Sequence, residues 1–452
     1  MTRHRLLAAA ASLALVGAFI PVTVAQAAVT TYQIGVDNTS PSGHNWEFLD
    51  YFPRSGVNVH NGDIIHFKLG SAPDGFHTAT LGVLGQTPDQ IAAASPALAP
   101  DTSTGDAAGA QEFAAFFGTN PPPGSGAPGA CGDAGTPCTY DGTSLINSGP
   151  MPVVGTDFYY KINLKNGSPN APTAVNYICS VHGPAMSASF VIVPDASTAS
   201  TQSGLDTAAT SQYNADVSSG NAAEAAANTS AVTTNANGTK NVTMQAGTES
   251  PDGRVQILEM LPSNVNVTAG DTVTWKAGSR NDPHTVSFPQ GVDTHDPFNL
   301  MCEGSSGDTP PTSQTPPFGC AGPPGAPNGA HLDYDPSPSG GTTITSATAS
   351  ATTTTSSGVI SQGTNFGTVP SSYTFTFANA GTYKYQCLIH DHMLGTITVA
   401  AAAAPALPKS GVIPKPAGEG GLPLLPLGAV ALALAGVAAT AVRIRAARGT
   451  RG

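Results

Sequence analysis

Charge is scarce in this 452-residue chain, since Asp, Glu, Lys and Arg together make up 10% of its residues and aromatic residues make up 6%. Turn-forming residues are plentiful by contrast, with 51 glycines and 39 prolines. This composition favours short strands joined by exposed loops over helical bundles. The net charge of −12 argues against nucleic-acid binding and would suit a basic partner through electrostatic steering. Simple solubility explains the same charge equally well.

Sequence motifs of several enzyme classes are also missing. The chain has no Gly-x-Ser-x-Gly nucleophile elbow, no His-Glu-x-x-His metalloprotease motif and no phosphate-binding loop. No small-molecule substrate is therefore evident from motifs of these kinds.

A pattern of metal-binding residue types is present twice, about 208 residues apart. Each copy has an early histidine and then, about 100 residues later, Cys-x2-His followed by Met after two or three residues. The residues are His77, Cys179, His182 and Met186 in the first copy, and His284, Cys387, His390 and Met393 in the second. Two imidazoles, one thiolate and a weak axial thioether are the ligands of a blue-copper electron-transfer site.

The surroundings of the two copies match as well. A Val-Asn-Val strand and a Gly-Asp turn precede the early histidine, at 57–63 and at 265–271. Residues 187–194 and 394–400 read as strands by their alternation and β-branched content. We therefore predict that each Cys ends a strand, that the following His and Met lie in a short turn, and that a final strand leaves that turn.

These residues resemble the cupredoxin (type 1 blue-copper) family, which contains plastocyanin, amicyanin and azurin. The resemblance covers roughly residues 30–195 and 240–400. The second copy, with Cys-x2-His-x2-Met, is most similar to amicyanin, whereas the first has a loop one residue longer and lacks the Gly-Thr-Tyr lead-in at 381–383. The resemblance implies an all-β protein of two tandem Greek-key β-sandwiches. It also implies one type 1 copper in each domain, held by the two four-residue sets above.

The repeat sets the domain organisation, because self-similarity at a fixed offset outranks a prior based on length. We predict a signal peptide (1–27), cupredoxin domain 1 (28–195), a low-complexity linker (196–239), cupredoxin domain 2 (240–400), a Pro/Ala stalk (401–421), a transmembrane helix (422–442) and a basic cytoplasmic tail (443–452). Within the linker, Ala222–Ala227 could instead seed a short helix.

The two ends of the chain predict export and anchoring. A basic start, an apolar run over 6–20 and the Ala25-Gln26-Ala27 site are typical of a secretory signal. The uncharged segment 422–442 is long enough to span a bilayer, and the arginines after it place that end in the cytoplasm. We therefore expect a single-pass surface protein with its N-terminus outside. Leu407–Gly411 also resembles a sortase signal, with Ser in place of Thr, so wall attachment is an alternative.

Four cysteines remain once Cys179 and Cys387 are assigned to copper. They allow three connectivities, of which Cys131–Cys138 and Cys302–Cys320 are the most local. Both pairs fall inside long insertions, at 84–150 and 289–370, that are rich in Gly, Pro, Ser, Thr and Ala. The insertions could cover the copper edge, bind a partner or pad the surface.

Two cupredoxin domains in one chain also resemble copper nitrite reductases and two-domain multicopper oxidases. Those enzymes need a further copper, one of whose histidines directly precedes the type 1 Cys, whereas Ile178 and Gln386 stand there in this chain. We therefore predict a one-electron carrier and no oxidase or reductase activity, with electrons passing through the exposed edge of His182 or His390. A copper-buffering protein without a redox partner and a structural surface protein are the alternatives.

Overall fold

The computed structural model describes residues 29–71, 77–94, 129–151, 156–291, 298–302, 330–334, 337–345, 354–363 and 368–402. The predicted signal peptide, the transmembrane segment, the basic tail and nearly all of the stalk lie outside these ranges. Across the residues that are described, no helix combines the length and the apolar character needed to cross a membrane.

The first repeat consists of strands and one short helix. These are β1 (Thr31–Val36), β2 (Trp46–Phe48), β3 (Tyr51–Phe52), β4 (Val57–Val59), β5 (Ile64–Leu69), β6 (Thr80–Leu81), α1 (Pro88–Ala94), β7 (Cys138–Tyr140), β8 (Ile146–Asn147), β9 (Asp157–Ile162), β10 (Thr173–Cys179) and β11 (Gly183–Ile192). One sheet has the order β3–β1–β5–β9–β7 and the other β4–β11–β10–β6–β8. Buried side chains of both sheets form one core, as expected for a sandwich of two layers.

The connecting segment and the second repeat follow. They contain α2 (Gln202–Ala227), β12 (Ala231–Thr234), β13 (Lys240–Glu249), β14 (Val255–Leu261), β15 (Asn264–Thr268), β16 (Thr272–Ala277), β17 (Ser287–Phe288), β18 (Phe298–Cys302), β19 (Ala330–Tyr334), β20 (Thr343–Ile344), β21 (Thr355–Ser356), β22 (Ser372–Phe377), β23 (Gly381–Gln386) and β24 (Leu394–Ala400). The sheets have the orders β2–β14–β13–β16–β22–β20 and β15–β24–β23–β17–β21, with β12 beside β13 and β18–β19 as a separate hairpin.

The duplication read from the sequence is visible in the strand pairing. β1 lies parallel to β5, and β13 lies parallel to β16. In the opposite sheets β4 lies parallel to β11, and β15 lies parallel to β24. The insertions also return to the sheets at matching places, since β8 pairs with β6 and β21 pairs with β17. Both repeats therefore have the same two-layer framework, and the described domains consist mostly of β-strands, with the short helix α1 in the first repeat.

Strand β2 joins the two repeats into one unit. Although it belongs to the first repeat in sequence, it pairs antiparallel with β14 at the edge of a sheet of the second repeat. Its fully buried Trp46 and Phe48 pack with residues of β14 in a third apolar cluster, separate from the two sandwich cores. Burial of this cluster favours a fixed contact between the domains, because apolar surface removed from water stabilises an interface.

The connecting segment is ordered where the sequence analysis predicts a low-complexity linker. A 26-residue helix, α2, begins after Thr201, whose side chain caps the helix by accepting a hydrogen bond from the Gly204 amide. Helix residues Tyr213 and Val217 pack against the interdomain cluster. The helix ends with the Ala222–Ala227 run that the sequence analysis left open as a helix seed. The rest of it depends on the tertiary contacts of one face with β2 and β14.

Candidate metal centres

The first centre gathers one residue from each of three places in the sandwich of repeat 1. His77 forms an isolated β-bridge with Met151 just before β6, Cys179 is the last residue of β10, and His182 lies in the turn that leads into β11. One ligand atom of each residue lies within 4.8 Å of the other two, and all three side chains are buried. The structure therefore assembles the predicted His–Cys–His set.

The second centre repeats this construction in the other sandwich. His284 is bridged to Ile360 by two backbone hydrogen bonds of 2.8 and 2.9 Å, and Cys387 directly follows β23. The Nδ1 atoms of His284 and His390 lie 3.2 Å apart, and the Cys387 sulfur lies 3.8 Å from the His390 Nδ1. The three nitrogen and sulfur atoms thus converge on one point, as the sequence predicts.

The two predicted axial methionines have different positions relative to their turns. Met393 precedes β24 and its carbonyl accepts a 2.9 Å hydrogen bond from the Cys387 amide, so it lies in the turn as predicted. Met186 is instead inside β11, because that strand already begins at Gly183, and the expectation of a turn residue was wrong there. Both thioether side chains are fully buried in the same apolar core as the cysteine of their repeat.

A threonine that the sequence analysis did not single out supports each cysteine. The Thr78 amide donates a 3.3 Å hydrogen bond to the Cys179 sulfur, and its hydroxyl accepts one from the Ser180 amide at 2.7 Å. Thr285 makes the equivalent bonds to Cys387 and to the Leu388 amide. A signal was available, since the early histidine is followed by threonine in both copies.

The chemistry of both sites fits copper. Cys179 and Cys387 are buried and free of disulfides. The Nδ1 atoms of His77 and His182 are buried and have no hydrogen-bond partner among the described residues, which is costly unless another group binds them. In the second site the Nδ1 atoms of His284 and His390 lie 3.2 Å apart, where one ring can donate a hydrogen bond to the other. A thiolate with two imidazoles is the donor set of type 1 copper.

Three carboxylates that the sequence did not reveal surround the first site. Glu47 Oε1 lies 3.2 Å from His77 Nε2 and 3.9 Å from His182 Nε2. Asp37 Oδ2 lies 3.5 Å from His77 Nε2, and Asp282 Oδ1 lies 3.8 Å from His182 Nε2. Glu47 is on β2 and Asp282 belongs to the second repeat, so both domains build the surroundings of this site. No spacing rule connects these residues with the ligands.

The electrostatics of the first site reflect these carboxylates. Burial opposes charge on Glu47, but the imidazoles of His182 and His77 outweigh it and lower the pKa of the carboxyl to about 2. Burial likewise disfavours the charged His182, yet Glu47 and the Cys179 sulfur raise its pKa to about 9. Burial also raises the pKa of the Cys179 thiol, and the two histidines more than reverse this and bring it well below its usual value. Without metal, this site therefore stabilises the charged forms of Glu47, Cys179 and His182.

The second site favours neutral groups instead. Burial, followed by repulsion from His390, lowers the pKa of His284 well below its usual value. Burial also lowers the pKa of His390 to about 4 and raises the pKa of the Cys387 thiol. The His284 Nε2 atom is buried without a hydrogen-bond partner in the described part of the chain. The physical cause of the difference is that, within the described ranges, no carboxylate forms an ion pair with His284, whereas His77 has two.

The edges of His182 and His390 are closed, contrary to the expectation of an exposed path for electrons. Their side chains are only 7% and 5% exposed. Glu47 and Asp282 cover His182 across the domain interface, and the Asn45 side chain donates a 3.0 Å hydrogen bond to the carbonyl of Asp391, next to His390. Contact between the domains therefore helps to bury both edges.

One of the two local cysteine pairs is described. Cys131 and Cys138 form a disulfide in the first insertion, as expected. Cys320 lies outside the described residues, so the second pairing stays a prediction.

Comparisons with known proteins find similar chains among solved structures. Neither a protein-family model nor a curated protein matches the chain. Among solved structures, a copper(I) amicyanin variant is 18% identical, with 31% of this chain and 73% of that one covered and a TM-score of 0.14. A fern plastocyanin variant is 15% identical over 35% of this chain and 98% of its own, with a TM-score of 0.16. A purple cupredoxin from Nitrosopumilus maritimus is 14% identical over 32% and 83%, with a TM-score of 0.14.

Identities and scores this low carry no weight for function, so the ligand sets and the sheet order decide the assignment. Both repeats place a buried His–Cys–His set at the end of a two-layer sandwich with matching strand pairing. The chain carries two tandem cupredoxin-like domains, each with a site that fits type 1 copper.

Proposed function

We propose that this protein is a one-electron carrier with two type 1 copper sites in one rigid unit, and not an enzyme. The observation that carries the proposal is the pair of buried, disulfide-free cysteines, each with two imidazoles within 4.8 Å. His77, Cys179, His182 and Met186 would hold one copper, and His284, Cys387, His390 and Met393 the other. Bound copper would supply a one-electron couple, with the thiolate giving strong coupling and the axial thioether adjusting the potential.

The protein contributes a rigid ligand frame to this function. In both repeats the early histidine is fixed by a β-bridge, and the cysteine sulfur accepts a hydrogen bond from a threonine amide. Ligands on a packed β-framework change position little when the charge of the metal changes, which favours fast exchange of electrons.

The proposal includes export, anchoring and a partner. The signal-like segment 1–27 and the apolar segment 422–442 support a protein held at the outer face of a membrane, with wall attachment through Leu407–Gly411 as the alternative. The net charge of −12 supports a basic redox protein as the partner. Because His182 and His390 are buried, such a partner would dock on another face of the domains.

Copper loading of the purified protein tests the central claim. We expect an intense thiolate-to-copper absorption band and two bound coppers per chain. Cys179→Ser and Cys387→Ser should each remove one copper and about half of the band. Absence of the band, or a band that neither substitution changes, would contradict the proposal and favour a structural surface protein. Full loading with slow electron exchange would favour a copper-buffering role.

A further inference from the structure

The two sites differ at one structurally equivalent position, which is Asp37 in repeat 1 and Gly247 in repeat 2. The residues just before them establish the equivalence. Val36 of β1 pairs with Leu69, and Ala246 of β13 pairs with Ala277. Both partners come six residues after the aspartate of a Gly-Asp turn, so Val36 and Ala246 have matching places in the two repeats. The next residue in each repeat lies in the left-handed region, with φ of 55° for Asp37 and 65° for Gly247. The backbone is therefore the same, and the side chain differs.

The side chain at this position decides what the early histidine meets. In repeat 1, Asp37 turns its carboxylate toward the Nε2 of His77, at 3.5 Å. In repeat 2, Gly247 lies directly against His284, and a Cβ added there would collide with the Nε2 of that ring. His284 is thus packed against bare backbone, whereas His77 faces an acidic group.

Strand β2 brings a second carboxylate, Glu47, to the histidines of site 1. Glu47 is buried and its Oε1 faces both imidazoles of site 1, at 3.2 and 3.9 Å from their Nε2 atoms. Among the described residues of repeat 2, no ion pair involves His284 or His390. Carboxylates beside the outer nitrogen of a metal-binding histidine fix the ring and raise its basicity as a ligand.

We propose that Asp37 and Glu47 act as positioning residues that make the two copper sites inequivalent: they orient His77 and His182 and favour the oxidised metal at site 1, while Gly247 denies site 2 this support. Site 1 then has the lower reduction potential, because negative charge near the ligands stabilises Cu(II) more than Cu(I). A single electron added to the loaded protein resides at site 2. This inference rests on the proposed function.

Site-resolved potentials of the loaded full chain test this inference. Cys387→Ala leaves only site 1 and Cys179→Ala leaves only site 2, and the absorption band of each variant is followed in a redox titration. We expect the Cu(II) preference of site 1 to exceed that of site 2 about tenfold or more, since such supporting groups change metal affinity roughly 10–100-fold. Tenfold corresponds to about 59 mV for one electron.

Substitution of the carboxylates then assigns the cause. Glu47→Gln and Asp37→Asn keep the size of each side chain, and Asn retains the oxygen that accepts the Phe48 amide. In the Cys387→Ala background we expect each to raise the potential of site 1 by about 59 mV, a tenfold loss of Cu(II) preference. In the Cys179→Ala background, the same substitutions should raise the potential of site 2 by a smaller amount. Asp195→Asn, which removes one exposed charge, serves as the matched control and should change neither site.

The possible outcomes separate this inference from the proposed function. If no thiolate band forms in any variant, the proposed function fails. If both bands form with equal potentials, or if neither carboxylate substitution changes site 1 more than Asp195→Asn does, only the inference is overturned. Equal loss of Cu(II) and Cu(I) from site 1 in both variants would also overturn it, because the carboxylates would then hold the metal without favouring its oxidised form.

Discussion

At the scale of single residues, the same ligand set has been placed in two different electrostatic surroundings. His182 faces Glu47 and Asp282, whereas His390 lies in a site whose buried groups prefer to be neutral. Ligand identity alone therefore does not make the two sites equal. The neighbours that distinguish them come from other strands and, for site 1, partly from the other domain.

The pKa of His390 predicts an acid-sensitive metal-free fold. Its folded-state pKa is about 4, below the roughly 6.5 of an unfolded chain, so the unfolded state binds more protons in the window between these values. The contribution of His390 to the free energy of unfolding is then present above about pH 6.5 and lost as the pH falls toward 4. Between pH 7 and pH 5 this loss is about 2 kcal/mol.

Denaturant unfolding of metal-free protein at these two pH values measures the effect. Between pH 7 and pH 5, the free energy of unfolding of the wild-type chain should fall by about 2 kcal/mol more than that of His390→Gln. His392→Gln removes an exposed histidine of the same loop and serves as the control. An equal loss in wild type and His390→Gln would show that another group governs the acid response.

At the scale of secondary-structure elements, β2 and α2 decide how the domains meet. β2 adds to the sheet of the second repeat, and α2 packs over the resulting cluster. Gly220 of this helix lies against the buried ring of Trp46, and a Cβ added there would be 2.6 Å from the Trp46 Cζ3 atom. There is therefore no room for a side chain at position 220, where the helix packs on Trp46.

Gly220→Ala should therefore destabilise the protein even though alanine is the better helix former. The propensity gain of about 1 kcal/mol is outweighed by overpacking against the fully buried Trp46 ring, which costs about 1–3 kcal/mol. We expect a lower midpoint in thermal unfolding. Ser218→Ala, at an exposed position of the same helix, should leave the midpoint unchanged or slightly higher. Equal behaviour of the two variants would mean that the helix is not held against Trp46.

At the scale of the whole molecule, a buried ion network connects the two repeats. Asp50 is fully buried, with Arg54 at 2.8 Å and Arg254 of the second repeat at 3.2 Å. Burial raises the pKa of Asp50 to about 7 although both arginines oppose this. Arg254 also donates to the Ser187 carbonyl, so one side chain holds two places in repeat 1.

Arg254→Leu should weaken the coupling between the domains. Removing one partner of a fully buried ion pair costs about 3–5 kcal/mol. We expect a smaller loss here, because Arg54 remains 2.8 Å from Asp50. Calorimetry should show a single transition for the wild-type chain and two separated transitions for the variant. Lys161→Leu, an exposed substitution of the same kind, should keep the single transition. A single, unshifted transition in Arg254→Leu would contradict a role in coupling.

The sequence by itself determined the repeat, the two-sandwich fold and the six His and Cys residues of the two sites. Those ligands are recognisable because copper dictates residue types, and a turn after a strand dictates the spacing from Cys179 to His182 and from Cys387 to His390. No such rule of residue type or spacing marks Asp37 and Glu47 in the sequence. Their effect on the histidines requires only that a carboxylate lies at a suitable distance.

Only the tertiary structure decided what surrounds the sites and joins the domains. The placement of Met186 on β11, the helix at 202–227 and the closure of the His182 and His390 edges all follow from packing between segments far apart in the chain. Local composition favoured a linker, with a short helix at Ala222–Ala227 as the alternative, and apolar burial against β2 and β14 stabilises the full helix. The reason is that contact between distant surfaces depends on shape and burial, which the order of residues along one segment does not record.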